Sequence, residues 1–279
     1  MAESTNGNAY LPFTELMRLD KIDEHTFRST AMAFAPGGGN SAYGGHVYSQ
    51  AVWAASHTVK DGFTVHNVTG WFTLPGNTTL PFIYHVRTIR DGRGYCTRGV
   101  DIVQEPDKGV CFTCIASFKR AESSPLDRQE AFSVNKEYSS VLSGHAPPDH
   151  PEAPSVDSPW YWAYRAGASC TTTALFIIAN NLDVGDGFSH MASLSHTVVF
   201  HTDNAPLAMT DDSGAPVWFC QEAWSSRAAG GRGLHLSRIW DAEDRHLAST
   251  WQEGLLRVGE NKYGKMRQES LEKRKRGKL

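Results

Sequence analysis

The side chains that most often bind metals are spaced in this chain in a way that argues against a metal site. Cys111 and Cys114 form a single C-x-x-C pair in a segment with strand character, where residues three apart point to opposite faces of a sheet. No second pair is present to complete a zinc site. His196 and His201 are five residues apart in another predicted strand, so they also face opposite ways. We therefore predict no metal ion and interpret the five cysteines as free thiols.

Polar side chains that could hold a water molecule or a carbonyl group remain as candidates for chemistry. Strand alternation puts Gln252 on the opposite face from Trp251. Ser225 and Ser226 come shortly before a glycine pair, where turn residues are common. From spacing alone, a structural role explains these three polar residues better than a functional one.

A glycine-rich helix start is the next candidate. Gly44, Gly45 and His46 open the segment 43–59, which continues with small and apolar residues at helical spacing. The glycines either let a ligand carbonyl approach backbone N–H donors or simply end the preceding loop. His46 either lines that position or is an ordinary histidine of the fold. No Gly-Lys-Ser/Thr follows, so the segment is not a nucleotide-binding P-loop.

The elements that would position these groups occur twice. Residues 98–118 and 232–254 each contain two alternating strands joined by a polar hairpin, and the copies start 134 residues apart (232 minus 98). A helical segment precedes each set of strands, at 43–59 and at 169–182. A helix followed by antiparallel strands is an α+β unit. We therefore predict two similar domains, with a site where they meet.

Charge and hydropathy exclude two classes of partner. The net charge is −3, but residues 265–279 hold seven basic and two acidic residues, or +5, which leaves −8 on residues 1–264. A body this acidic is unsuited to nucleic acid. No apolar run approaches the roughly 18 residues of a membrane span, and the polar N-terminus lacks a secretory signal. We expect an intracellular protein without a membrane span.

Taken together, several segments resemble the acyl-CoA thioesterase II family of double hotdog-fold enzymes. The matching segments are 43–47, 50–51, 72–76, 90–93, 97–98, 116–118, 194–196, 200–201, 230–233 and 248–254. The resemblance implies two tandem hotdog domains, each a helix wrapped by an antiparallel sheet, with the two sheets joined edge to edge. The implied boundaries are an N-terminal hotdog domain at 1–122, a linker or irregular excursion at 123–158, a C-terminal hotdog domain at 159–260, and a basic tail at 261–279.

The resemblance also implies an activity, the hydrolysis of an acyl-CoA thioester to a free acid and coenzyme A. The family uses an Asp, a Ser or Thr, and a Gln to hold and polarise the attacking water, without a cofactor or a covalent nucleophile. Gln252 matches the family's Gln by its place in the segment Thr-Trp-Gln-Glu-Gly. Ser225 and Ser226 are both candidates for the hydroxyl residue, because the local length differs from the usual pattern. The implied substrate-binding residues are Gly44, Gly45, His46, Gly230, Gly231 and Arg232.

The family's Asp is absent, because the matching position is Ser195 in the segment Leu-Ser-His. A serine hydroxyl cannot act unaided as a general base near neutral pH. Three explanations stay open. His196 or an acidic group such as Asp203 supplies the base; or hydrolysis is slow or directed to an unusual acyl thioester; or the scaffold has lost hydrolysis and binds an acyl thioester instead.

Partners, location and a further reaction class follow from the same resemblance. The substrate would be an acyl-CoA or an acyl chain on a carrier protein, in fatty-acid or secondary metabolism such as polyketide synthesis. An enoyl-thioester hydratase or dehydratase is disfavoured, because its usual Asp-x-Asn-Pro-x-His segment is missing. A homo-oligomer is expected by analogy. We expect a cytoplasmic protein, with the peroxisome as the alternative, because residues 277–279 (Gly-Lys-Leu) are a degraded form of a Ser-Lys-Leu address.

Overall fold

The computed structural model describes residues 13–33, 41–105, 108–139, 188–202, 207, 211–214, 217 and 219–258. Within them one antiparallel sheet of ten strands has the order β1-β2-β4-β5-β6-β3-β7-β10-β9-β8. The strands are β1 (Leu19–Lys21), β2 (Thr26–Ser29), β3 (Phe63–Phe72), β4 (Ile83–Asp91), β5 (Tyr95–Val103), β6 (Phe112–Arg120), β7 (Phe188–Phe200), β8 (Cys220–Ala229), β9 (Arg232–Trp240) and β10 (His246–Val258). The described helices are α1 (Phe13–Leu16), α2 (Gly44–Ser56) and α3 (Val134–Glu137).

Helix α2 packs on one face of the N-terminal strands, here called the inner face of the sheet. Its buried side chains include Val47, Ala51, Ala54 and Ala55, which contact the core of β3 to β6. Three of these four residues are alanines, so the helix axis can lie close to the sheet. The Tyr48 hydroxyl donates to the Val68 carbonyl at 2.9 Å and ties the helix to β3.

The two halves of the sheet join where β3 pairs with β7, a junction here called the seam. Its register matches Asn67 with Val199 and Trp71 with Ser195. The Thr197 hydroxyl donates to the Thr69 hydroxyl across it at 3.1 Å. The predicted joining of two sheets edge to edge is therefore present, and it brings His196 of β7 into contact with Tyr48 of α2.

Tight turns set the register of the C-terminal strands. Gly230 and Gly231, with φ of 60° and 70°, form the turn between β8 and β9, a backbone conformation that favours glycine. Asp241 stabilises the turn between β9 and β10, because its carboxylate accepts hydrogen bonds from the backbone N–H groups of Glu243 and Arg245. The predicted helix at 169–182, Asp203, residues 140–158 of the predicted linker and the basic tail at 261–279 lie outside the described residues.

Candidate active site

A row of side chains crosses the seam on the inner face. Strand register places Gly70 of β3 opposite His196 of β7, which lies opposite Gln252 of β10. Gln252 in turn lies opposite His235 of β9, and His235 opposite Ser225 of β8. Directly opposed residues in an antiparallel sheet point to the same face, with Cβ atoms roughly 5 Å apart. Gln252 therefore lies between two histidines, and we call His196, Gln252 and His235 the polar row.

The two amide atoms of Gln252 differ in their hydrogen bonding. Its side chain is 4 % exposed. The amide nitrogen donates a short hydrogen bond to the Ser193 hydroxyl. The amide oxygen is buried and has no hydrogen-bond partner among the described residues. A buried acceptor left in this state costs about 1–3 kcal/mol, so it is a natural position for a water or substrate donor.

A β-bulge brings Ser193 to this position. The pairing of β7 and β10 shifts between Glu253 and Gly254, so that Gly254 pairs with Ser193 and Leu194 is the extra residue. The bulge therefore moves Ser193 to the face of Gln252. Ser193 is 8 % exposed, which is consistent with an inward-facing side chain.

The two histidines of the polar row are held in the neutral form. Burial lowers the pKa of His235 to about 4. Burial, with a smaller contribution from the nearby His235, also lowers the pKa of His196 to about 4. A neutral imidazole has one nitrogen that accepts and one that donates. Each ring therefore carries one nitrogen with an unprotonated lone pair near neutral pH.

The surroundings of the His196 and His235 rings differ. The His196 ring is partly buried and lies edge-on to the Tyr48 ring, with centroids 5.1 Å apart, and its Nδ1 atom has no partner among the described residues. His235 is 2 % exposed, and within the described part of the chain neither of its ring nitrogens has a partner.

The inner face of the C-terminal strands is polar beyond this row. Ser237 and Thr250 share a hydrogen bond of 2.6 Å between their hydroxyls, and the Gln221 amide donates to Ser237 at 3.0 Å. Ser237 and Thr250 are both buried. The N-terminal strands instead present apolar side chains such as Val68 and Val100 to α2. The polar surface therefore begins at the seam.

The structure separates the three predicted serines. Ser225 lies on the inner face opposite His235, and its hydroxyl donates to the Leu234 carbonyl at 3.0 Å. Ser226 is exposed at a register shift in β8. Ser195 pairs with Trp71 and Glu253. Since its neighbour His196 faces inward, Ser195 faces the outer side of the sheet and does not meet Gln252.

The predicted substrate-binding residues occupy two separate places. Gly44 and Gly45 begin α2, and a Cβ atom on Gly44 would lie 2.9 Å from the Phe72 ring. His46 follows them, is 3 % exposed, and has a pKa lowered chiefly by burial.

Gly230, Gly231 and Arg232 instead lie at the tip of the β8–β9 hairpin. Arg232 forms an exposed ion pair of 2.9 Å with Glu253. This ion pair is on the outer side of the sheet, because Glu253 is the neighbour of the inward-facing Gln252.

Sequence reasoning missed Ser193 and His235. Alternation places Ser193 with Ser195 on the outer side, and only the bulge reverses this. Counting back from a turn at 241–245 pairs Gln252 with Leu234, and only the register shift between His246 and Ala248 brings His235 opposite Gln252. Among the described residues, no group of three His, Cys, Asp or Glu side chains is placed to hold a metal ion. No described helix is long and apolar enough to span a membrane.

Two adjacent profiles of known domains match this chain. Residues 34–119 match the acyl-CoA thioesterase N-terminal domain, and residues 120–256 match the acyl-CoA thioesterase C-terminal domain. The two matches meet between residues 119 and 120, at the C-terminal end of β6.

Individual acyl-CoA thioesterases are also similar to this chain, at low sequence identity. Acyl-coenzyme A thioesterase 8 of Mus musculus is 26 % identical, with 88 % of each chain covered. Acyl-CoA thioesterase 2 of Haemophilus influenzae is 25 % identical over 88 % of this chain and 96 % of its own. The crystal structure of an acyl-CoA thioesterase II, TesB2, from Mycobacterium marinum superposes with a TM-score of 0.63 at 24 % identity, covering 88 % of this chain and 97 % of that one.

A hotdog-fold protein of unknown function from Alicyclobacillus acidocaldarius also superposes with a TM-score of 0.63, at 16 % identity, covering 90 % of this chain and 99 % of that one. The predicted double hotdog fold is confirmed by these structures together with the ten-stranded sheet.

Proposed function

Because this chain belongs to the acyl-CoA thioesterase family, we propose that it hydrolyses acyl-CoA thioesters to a free acid and coenzyme A. The observation that carries the proposal is the uncommitted oxygen of the buried Gln252, which lies on β10 between two neutral imidazoles. A thioester carbonyl is already electrophilic, so a held and polarised water is sufficient as the nucleophile.

In the proposed reaction Gln252 positions the water. The Ser193 hydroxyl engages the amide nitrogen, which orients the amide and leaves its oxygen to accept one hydrogen bond from the water. The water oxygen then attacks the thioester carbon while a base takes the second proton. The carbon–sulfur bond breaks, its electron pair goes to sulfur, and the proton finally reaches the thiolate.

The start of α2 is the proposed position for the thioester carbonyl. The first backbone N–H groups of a helix have no intrahelical acceptor and can stabilise a developing oxyanion. Gly44 and Gly45 provide these groups, and Tyr48 of the same helix contacts the His196 ring. We keep His46 as a lining residue, and we place Ser225 at the far end of the row. In this proposal Ser226, Gly230, Gly231 and Arg232 have no contact with the reacting atoms.

A thiol-release assay over a series of acyl-CoA chain lengths tests the function. We expect turnover by the parent protein for at least one length, with a fall of about 10²–10³-fold in kcat for Gln252→Ala. Absence of turnover above buffer for every length, and for acyl carrier proteins carrying the same chains, would remove the proposal.

Non-hydrolytic binding of an acyl thioester is the second candidate. It is favoured by the lack of any carboxylate in the described part of the row, where the family has an Asp to activate water. Acyl-CoA binding measured by calorimetry, without thiol release over hours, would support it. Rapid thiol release under the same conditions would exclude it.

We also propose an assembly state and a location. The outer face of the sheet exposes Trp71, Ile115, Trp224 and Trp251, each between 39 % and 47 %, which supports association into a homo-oligomer. Light scattering tests whether a homo-oligomer forms.

For location we keep the cytoplasm, with the peroxisome as the alternative. A fluorescent fusion with and without residues 277–279 distinguishes the two.

A further inference from the structure

Hydrolysis at this site needs a proton acceptor, and the described residues restrict which group it can be. The hydroxyls of Ser193 and Ser225 are far too weakly basic to accept a proton from water near neutral pH. Ser195 faces the other side of the sheet. The groups of the row that can accept a proton are the imidazoles of His196 and His235, one on each side of Gln252.

The two imidazoles differ in how much of each ring is free. His196 is packed edge-on against Tyr48, and only its Nδ1 atom is both buried and unpaired among the described residues. His235 is 2 % exposed, and neither of its ring nitrogens has a hydrogen-bond partner among the described residues. Two unsatisfied nitrogens on one buried ring are costly, which is typical of groups retained for a ligand. His46 at the start of α2 shares this property, but only His235 and His196 lie directly opposite Gln252 in the sheet.

We propose that His235 is a catalytic residue and accepts the proton of the water held by Gln252, in place of the carboxylate used by the family. This inference rests on the proposed function. In either tautomer the ring of His235 presents one lone pair and one N–H group to the site, so it can receive a proton at one nitrogen while the other donates a hydrogen bond.

The step balances without another reactant. The water oxygen forms a bond to the thioester carbon as its proton moves to the free nitrogen of His235. The carbon–sulfur bond then breaks with its electron pair on sulfur, and the imidazolium returns the proton to the thiolate. His235 is neutral again when the acid and the thiol leave.

Burial also sets the basicity that this role requires. The pKa of His235, lowered to about 4, is close to that of an ordinary Asp, so the ring is an acceptor of similar strength and is unprotonated at neutral pH. On the strands packed beside it, Gln252 and Ser225 do not titrate. Other described titratable groups of this face are His196, Tyr48 of α2, which contacts the His196 ring, and, beyond β3, Cys114, whose pKa is raised to about 12 by burial and by the charge of Asp101.

An isosteric pair of variants tests the role. His235→Asp and His235→Asn have the same size and differ in whether the side chain can accept a proton. We expect His235→Asn to lose about 10²–10⁴-fold in kcat with KM changed less than about threefold, and His235→Asp to retain at least about tenfold more activity than His235→Asn. His196→Asn compares the imidazole on the other side of Gln252, and we expect its loss in kcat to be at least about tenfold smaller than that of His235→Asn.

A purely structural His235 would give the opposite order, because a neutral amide is better tolerated in a buried position than a carboxylate. The proposal is overturned if His235→Asn folds and keeps kcat within about fivefold, if His235→Asp is no more active than His235→Asn, or if His196→Asn causes the larger loss. A parent without thioesterase activity would instead remove the proposed function, so the two failures are distinguishable.

If neither His235 variant folds, the acid limb of the parent's pH profile of kcat/KM shows whether the base is an imidazole. Ionisation of an imidazole shifts strongly with temperature, and ionisation of a carboxylate hardly does. We expect the apparent pKa of this limb to change with temperature, and we expect the limb to be present in His196→Asn as well. A limb that is independent of temperature, or that is lost in His196→Asn, would overturn the proposal.

Discussion

Replacing Gln252 with Leu should separate activity from stability. The substitution keeps the approximate size and the buried position but removes both amide atoms. In the native protein the amide oxygen is unpaired among the described residues, while the nitrogen donates to Ser193. The change therefore removes one unfavourable buried group and one hydrogen bond.

The expected change in stability is small. Eliminating the unpaired oxygen recovers about 1–3 kcal/mol, and losing the Ser193 hydrogen bond costs about 0.5–1.5 kcal/mol. The free energy of unfolding should thus change by no more than about 1–2 kcal/mol, with a gain more expected than a loss. Activity should fall by about 10²–10³-fold, because the water loses its acceptor.

Gln50 provides a matched control, since it is a second buried glutamine with both amide atoms engaged. Its oxygen accepts from the Tyr84 hydroxyl at 2.5 Å, and its nitrogen donates to the Leu16 carbonyl at 2.9 Å. Gln50→Leu leaves the fully buried Tyr84 hydroxyl unpaired, so it should lose about 2–4 kcal/mol of stability. Its kcat per folded molecule should stay close to that of the parent.

Urea unfolding and thiol release, measured on the same preparations, provide the comparison. The reasoning is refuted if Gln252→Leu is destabilised as much as Gln50→Leu, or if its activity is retained. Loss of activity only in proportion to the unfolded fraction would likewise show that Gln252 is a structural residue.

Three further predictions concern the same face of the sheet. The free energy of unfolding should decrease as the pH falls from 6.5 to about 4, because His196 and His235 bind protons in the unfolded state but not in the folded state. The slope is up to about 1.4 kcal/mol per pH unit for each histidine. Urea midpoints measured over this pH range should decrease less steeply for His235→Asn than for the parent. Gly70→Ala should lower the melting temperature by several degrees, because its Cβ would lie 2.4 Å from the Phe112 ring; an unchanged melting temperature would contradict the packing. Ser195→Asp should change kcat by less than about threefold, since its carboxylate would face Trp71; a large gain in thiol release would place residue 195 at the site.

Local patterns in the sequence were sufficient for most of the fold. The small and apolar residues at helical spacing in 43–59 predict the helix that is present, and the polar turn within 232–254 predicts the hairpin between β9 and β10. Both features depend on residues near each other in the chain, whose conformational preferences act locally. The duplicated strand pairs likewise predicted the two halves of the sheet.

The composition of the site depended on contacts that local patterns do not contain. Alternation correctly turned Gln252 away from Trp251, but it put Ser193 and Ser195 on one face, and the bulge at Leu194 separates them. His235 is seventeen residues from Gln252 in sequence (252 minus 235) and becomes its neighbour through the register of β9 and β10. A shift of one residue in a strand reverses every side chain it carries, so only the assembled sheet decides which polar groups meet at the seam.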